Sequence, residues 1–190
     1  MKKKILKSTP FGDVGIIWTV TGRGPTIVRV LLSEPTSPAE IRVSGLYPNV
    51  QAGSCAEINA VASGIMRLLH GDSVEFSLDV ADLGLCGEFQ QRVLRAEHAI
   101  PRGSVSTYAL IAAHLGKPHA ARAVGNALAN NPFPLIVPCH RAIRSDRRLG
   151  GYQGGLVMKR ALLAGEGIVF DNVGRVKCSR FHYEQQDRTR

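Results

Sequence analysis

Hydrophobic and polar positions divide the chain into a first stretch with strand periodicity and a second with helical periodicity. Ile16-Ile17-Trp18-Thr19-Val20 and Thr26-Ile27-Val28-Arg29-Val30-Leu31-Leu32 flank Gly22-Arg23-Gly24-Pro25, which predicts two strands joined as a hairpin. Residues 33 to 53 are rich in Pro, Ser and Gly, with a short helix near Glu40. Ser54 then offers an N-cap with Glu57 three residues on. Ile58, Val61, Ala62, Ile65, Met66 and Leu69 follow at helical spacing and predict a helix from about 55 to 69. Gly71 ends it, and Val74 to Val80 alternates as a half-buried strand.

Helices take over after about residue 83. Phe89, Val93, Leu94 and Ala96 fit a helix over about 87 to 99, closed by Ile100-Pro101-Arg102-Gly103. A second starts behind the caps Ser104 and Ser106, with Tyr108, Ile111, Ala112 and Leu115 on its apolar face. Gly116-Lys117-Pro118 stops it, and a third begins near His119. Two short helices joined by a turn containing Gly suggest a helix-turn-helix, whose second helix commonly enters a DNA groove. That second helix carries Ala120, Ala121, Ala123 and Gly125, small enough for close approach to a surface, and a single long cation among them, Arg122. The expected division is an α/β domain over 1–82, a mostly helical domain over 83–172 and a tail over 173–190.

Charge sharpens this picture. Of the net +9, residues 117 to 190 carry 13 Lys and Arg against 5 Asp and Glu, whereas residues 1 to 116 carry 11 against 10. A cationic half of this kind concentrates polyanions, nucleic acid above all. No apolar run approaches the roughly 20 residues that span a bilayer, and Lys2-Lys3-Lys4 is not followed by the apolar stretch of a secretory signal. No membrane association and an intracellular address are therefore expected. The cysteines at 55, 86, 139 and 178 show no Cys-x-x-Cys spacing, so neither a disulfide framework nor a metal cluster is suggested.

Candidate chemistry concentrates in Pro138-Cys139-His140-Arg141, after the apolar run Leu135-Ile136-Val137. A thiol becomes a strong nucleophile as thiolate, and a nearby imidazole can take its proton, directly or through water. A buried cysteine is more often a small apolar filler, so the pair alone does not establish a covalent site.

The rest of the chain resembles the O6-alkylguanine-DNA alkyltransferases, which move an alkyl group from guanine in DNA onto their own cysteine. The resemblance runs from Phe89 to Asp171, about half the chain. It rests on Phe89-Gln90, Ile100-Pro101-Arg102-Gly103, Ser106-Thr107-Tyr108, Ala120-Ala121-Arg122-Ala123-Val124-Gly125, Asn131-Pro132 and Ile136-Val137-Pro138-Cys139-His140-Arg141. Leu149-Gly150-Gly151-Tyr152-Gln153-Gly154-Gly155, Lys159-Arg160 and Leu162-Leu163-Ala164-Gly165-Glu166-Gly167 complete it.

The resemblance implies an α+β protein: a small RNase H-like α/β domain, then a mostly helical domain with a winged-helix-like helix-turn-helix. It implies that Cys139 is the alkyl acceptor, that His140 deprotonates it through a water, and that Glu166 orients the imidazole. Asn131 matches a hinge residue tying the recognition helix to the active-site loop. Tyr108 matches a tyrosine that helps rotate the nucleotide out and donates toward the departing guanine. Arg122 matches the arginine that fills the vacated place in the stack, with Ala120, Ala121, Ala123 and Gly125 against the minor groove. Pro138, Gly150, Gly151, Tyr152, Gln153 and Gly154 match the pocket that holds the flipped base. O6-alkylguanine in double-stranded DNA, and O4-alkylthymine, are the implied substrates of a monomer that needs no metal or organic cofactor. Since the product is a thioether, the transfer is expected to occur once per molecule.

Several positions depart from the family pattern. Leu94 stands where many members have tryptophan, Asn126 replaces a frequent glycine, and Arg144, Arg147 and Arg148 crowd the segment after the cysteine and are expected to add phosphate contacts. The first 80 residues carry no motif of the family. Competing readings are a lesion binder without transfer activity, which would lack the acceptor cysteine, and a DNA-binding regulator, for which the alanines offer few groups able to read base edges. A cysteine hydrolase would turn over and would not require Arg122. A cytoplasmic location, or a nuclear one in a eukaryote, follows from the family reading.

Overall fold

The computed structural model describes residues 1–34 and 36–184 and is α+β. The first half forms a four-stranded sheet in the order β3-β2-β1-β4, from β1 (Lys2–Leu6), β2 (Val14–Thr21), β3 (Gly24–Leu32) and β4 (Gln51–Ala52). β1 and β3 run antiparallel to β2, and β4 runs parallel to β1. The expected hairpin is β2 and β3, and the short helix near Glu40 is α1 (Ala39–Leu46). Strand β2 reads as a run of apolar residues because both of its faces are covered. Ile16 and Trp18 face the main core with α2 (Ala56–Leu69), while Ile17 faces Leu31 and Val43.

Three local expectations are corrected. α2 starts behind Cys55, not Ser54, with no side-chain cap. Val74 to Val80 is not a strand: it crosses the helical face in extended form and closes in a short 3-10 turn over Leu78–Val80, where the Ser77 hydroxyl accepts from the Asp79 N–H. Its alternation serves packing against Gly64, where a Cβ would lie 2.8 Å from the Phe76 ring, and the Phe76 carbonyl is taken by His98. The caps of the helix after Gly103 also differ. Thr107, not Ser104 or Ser106, accepts from the Leu110 N–H, and the Ser106 hydroxyl instead donates to the His182 carbonyl.

The second half contains α3 (Glu88–His98), β5 (Ser106–Thr107), α4 (Tyr108–His114), α5 (Ala121–Ala129), β6 (Ala142–Ile143), α6 (Gly155–Gly165), β7 (Val169–Phe170) and β8 (Val176–Lys177). Two backbone links hold the cysteine segment in place. β5 pairs in parallel with β6, Ser106 opposite Ala142 and Thr107 opposite Ile143, so the start of α4 is fixed against the segment just after Cys139. At the sheet edge the Val30 N–H donates to the Pro132 carbonyl at 2.8 Å, joining β3 to the approach to Cys139.

Beyond residue 172, β8 pairs with β7, the His182 N–H donates to Val105, and the Tyr183 hydroxyl donates to the Ala96 carbonyl at 2.8 Å. The last six residues of the expected tail lie outside the described ones. No helix among the described residues is long and apolar enough to cross a membrane.

Thr107 therefore carries a testable cap. Thr107→Ala should cost about 1 kcal/mol, read as a lowered midpoint in thermal or denaturant unfolding, whereas Ser104→Ala should leave it unchanged.

Candidate active site

Every residue from 131 to 143 is buried. Leu135, at φ 73, takes a left-handed conformation that a leucine rarely adopts, and the chain then turns at Cys139–Arg141 in a 3-10 helix whose Arg141 N–H donates to Pro138. This turn sets Cys139 against a cleft of about 420 Å³ that is also lined by Tyr108, Gly125, Leu128, Ala129, Arg144, Gly150, Gly151, Tyr152 and Gln153. Helix α4 supplies Tyr108, α5 supplies the next three, and the loop before α6 the last four.

Behind the turn runs a chain of buried polar groups. His140 is fully buried and its Nε2 lies 2.9 Å from Glu166 Oε1, while its Nδ1 has no partner among the described residues. Glu166, the residue that closes α6, is gripped by Arg141: Nε donates to both carboxylate oxygens at 3.2 and 3.0 Å, and Nη2 donates to Oε1 at 2.8 Å. The remaining guanidinium nitrogen Nη1 donates to the Ile100 carbonyl at 2.6 Å. Bidentate pairing of this kind is the strong form of a charge-assisted hydrogen bond.

These contacts set the protonation states. Burial alone would raise Glu166, but hydrogen bonds from His140 and Arg141 outweigh it and hold the carboxyl at about 2. Burial lowers His140 more than Glu166 raises it, which leaves a neutral imidazole able to accept a proton. The Cys139 thiol is pushed up to about 11 by burial, against the pull of the Asn131 side chain, so the resting cysteine is protonated. Tyr108 is pushed up to about 12, again chiefly by burial, and remains a phenol that can donate.

Asn131 joins the end of α5 to the cysteine segment. Its N–H donates to Leu128, its Oδ1 accepts from the Phe133 N–H, and its Nδ2 donates to the Val137 carbonyl at 3.3 Å. Gln153 closes the same corner by donating to the Asn131 carbonyl at 2.7 Å. Gly150 is required at the cleft wall, because its φ is 69 and a Cβ there would lie 2.7 Å from the Tyr108 hydroxyl. The Tyr152 hydroxyl is buried without a partner among the described residues, and its ring meets His140 edge-on at 6.3 Å.

On α5, Arg122 and Ala123 are exposed, Ala121 and Gly125 half-buried, and Ala120 forms the N-cap. A neighbouring cleft of about 440 Å³ brings Ala121 and Arg122 beside Tyr108, Ala109, Arg144, Ser145 and Asp146.

Two expected pocket residues are elsewhere. Pro138 precedes the turn and lines a separate cavity with Leu68, Phe76, His98 and Ile100, and Gly154 packs against Met158, beside a shallow groove lined by Phe11 and Ser33. Conversely, Leu128, Ala129 and Arg144 line the cleft and were not among the pocket residues expected from sequence. Arg144 was visible only as one member of a basic cluster, and Arg141 only as part of the motif around Cys139. Lys159 was quoted within a motif, yet the structure shows it fully buried, with its ammonium on the carbonyls of Ala142, Leu149 and Gly151.

An α+β fold that presents one buried cysteine to a cleft, with an imidazole, a carboxylate and a guanidinium in line behind it, defines the class of proteins with a candidate cysteine nucleophile. Comparison with known proteins makes the class specific. Residues 88–168 match the family model of the 6-O-methylguanine DNA methyltransferase DNA binding domain. A methylated-DNA--protein-cysteine methyltransferase of Methanothermobacter thermautotrophicus is 40% identical over 159 residues, covering 84% of this chain and 82% of the relative. One from Mycolicibacterium paratuberculosis is 36% identical over 151 residues, covering 80% and 86%. The crystal structure of Mycobacterium tuberculosis OGT in complex with DNA superposes with a TM-score of 0.70 at 32% identity, covering 87% of this chain and 92% of that one. The chain belongs to the methylated-DNA--protein-cysteine methyltransferase family.

The depressed Glu166 makes stability depend on acid in a defined direction. A carboxyl that falls from 4.5 to about 2 on folding stabilises the protein fully above about pH 5, and that contribution, roughly 3 kcal/mol, is lost as pH falls toward 2. Glu166→Gln should therefore flatten the acid limb of a denaturant-unfolding series between these values and destabilise the protein at neutral pH, where Arg141 is left without its counterion.

Proposed function

We propose that the protein repairs DNA by transferring the alkyl group of O6-alkylguanine, and of O4-alkylthymine, to Cys139. The supporting observation is the placement of Cys139 on the cleft with an imidazole behind it that has one nitrogen on Glu166 and the other unpartnered. The free Nδ1 and the free Tyr152 hydroxyl leave polar capacity for a water that relays the thiol proton to His140. The Glu166 carboxylate then stabilises the imidazolium, the nucleophile, base and orienter arrangement of an activated thiol.

The sulfur attacks the alkyl carbon in line, the carbon–oxygen bond breaks, and its electron pair stays on the base oxygen. Tyr108, held protonated by burial, donates toward that oxygen as guanine departs. The O6 substituent lies inside a stacked pair, so the nucleotide must be flipped at a cost of a few kcal/mol. Arg122, exposed on α5 beside the entrance formed with Tyr108, fills the gap in the stack. The small residues Ala120, Ala121, Ala123 and Gly125 let α5 approach the minor groove, and the basic second half supplies phosphate contacts. Gly150, Gly151, Tyr152 and Gln153 hold the base.

The thioether product has no acyl carbonyl for water to attack, so each molecule reacts once. One chain supplies the whole site, so it acts as a monomer, in a compartment such as the cytoplasm that keeps thiols reduced.

Incubation with a duplex containing O6-methylguanine should add one methylene equivalent to the peptide containing Cys139 and restore guanine. Loss of the lesion without a marked protein, or persistence of the lesion, contradicts this reading. Cys139→Ser should abolish transfer and retain DNA binding. Arg122→Ala should slow transfer from duplex by roughly tenfold or more and spare transfer from the free modified base.

A further inference from the structure

Alkyl transfer through Cys139, His140 and Tyr108 leaves one buried group unused. Glu97, on the last turn of α3, is fully buried, and neither of its carboxyl oxygens has a hydrogen-bond partner among the described residues. An orphaned buried carboxyl is costly and calls for a reason. Lys159 on α6 is equally buried. Its ammonium donates to the carbonyls of Ala142 at 2.7 Å, Leu149 at 2.6 Å and Gly151 at 3.2 Å, and among the described residues no carboxylate lies within 4.0 Å of it.

The charges around the cysteine can be balanced residue by residue. Arg141 is answered by Glu166, and His140 is neutral at rest. That leaves Lys159 as a buried cation with no counterion. Two groups can answer it, because α3 and α6 both pack on the turn that carries Cys139 and the Lys159 ammonium sits on the Ala142 carbonyl just after that turn: Cys139 as thiolate, or Glu97 as carboxylate. A low-dielectric interior that holds one extra cation accommodates one extra anion readily and a second only at high cost.

We propose that Glu97 and Cys139 compete for the charge of Lys159, so that Glu97 is a positioning residue which, by staying neutral, leaves that charge to the thiolate. This deepens the transfer reading and rests on it.

The groups facing Glu97 fit the assignment. Burial pushes Glu97 up to about 8, against Lys159, Arg141 and the Ala142 N–H, so it is mostly protonated at neutral pH. Burial pushes Lys159 down to about 8, against Cys139 and Glu97, which leaves it mostly charged there. Tyr108 from α4 and Tyr183 from the C-terminal segment are both raised, by burial first and Glu97 second, and stay neutral. The Cys139 thiol is itself raised by Glu97 and lowered by Lys159.

The test is a thiolate titration by ultraviolet absorbance, taken as the difference between each protein and its Cys139→Ser counterpart, with single-turnover transfer from O6-methylguanine duplex measured over the same pH range. Glu97→Gln should lower the Cys139 midpoint by about one unit and move the pH–rate profile with it. Lys159→Met should raise the midpoint, and adding Glu97→Gln to that variant should move it less than in the parent. An unchanged or raised midpoint in folded Glu97→Gln overturns the proposal. So does a shift of equal size with and without Lys159.

In the unaltered protein, the infrared band of a buried protonated carboxyl should be present at neutral pH and disappear at lower pH than that at which the Cys139 thiolate forms. A band that persists through the thiol titration also overturns the proposal, and this holds where the glutamine variant fails to fold. Because titration reads the thiol without DNA, failure of repair and failure of this charge competition give different results.

Discussion

Burial of one ionised carboxylate organises this molecule. Glu166 closes α6, accepts three hydrogen bonds from Arg141 and one contact from His140, and meets the Gly103 N–H at 3.4 Å. Arg141 extends the link to the Ile100 carbonyl at the end of α3. The cysteine turn, the loop after α3 and the end of α6 therefore converge on one pair of oxygens. A charge taken out of water is tolerated only when its partners are fixed, so the need to satisfy Glu166 also fixes the cysteine turn.

Placement of the reacting groups follows from that anchor. The parallel pairing of β5 with β6 ties Tyr108 to the far end of the turn, and Asn131 ties α5 to its near end. The thiol, the phenol and the helix bearing Arg122 are thus held by backbone and amide bonds rather than by long side chains. Preorganisation of this sort limits the rearrangement left for the moment of reaction. Burial also keeps the resting thiol protonated, so an acceptor that is used once is not left as a free thiolate.

Much of this was legible in the sequence, for physical reasons that differ by element. β2, β3 and α2 carry strong apolar periodicity, and tertiary packing agrees with it. Val74 to Val80 shows the same alternation but lies outside the sheet; the chain meets the β3 edge just beyond it, where Ala81 bridges Ile27 and the Asp82 N–H donates to the Ile27 carbonyl. A period of two records which side chains are covered, not which backbone groups are bonded. β1 was missed because its lysines disguise a strand half-covered on the sheet. The motif residues of the site were named through the family resemblance, whereas the Arg141 clamp, the buried ammonium of Lys159 and the orphaned Glu97 were not. Long charged side chains read as surface in a sequence, and only packing reveals those that turn inward. Pro138 illustrates the converse: the resemblance placed it in the pocket, and the turn directs it to another cavity.

The unbroken burial of residues 131 to 143 has a consequence for how the protein comes to be. This segment is covered on one side by the sheet, through Val30, and on the other by α3 and α6, so its walls come from parts of the chain made long before and just after it. Contacts of such sequence separation form late, because the loop they close must first be ordered. Any intermediate that lacks either wall leaves the cysteine turn without its cover. The capacity to react is then the last thing the chain acquires during synthesis, and the first lost when any part of the fold loosens.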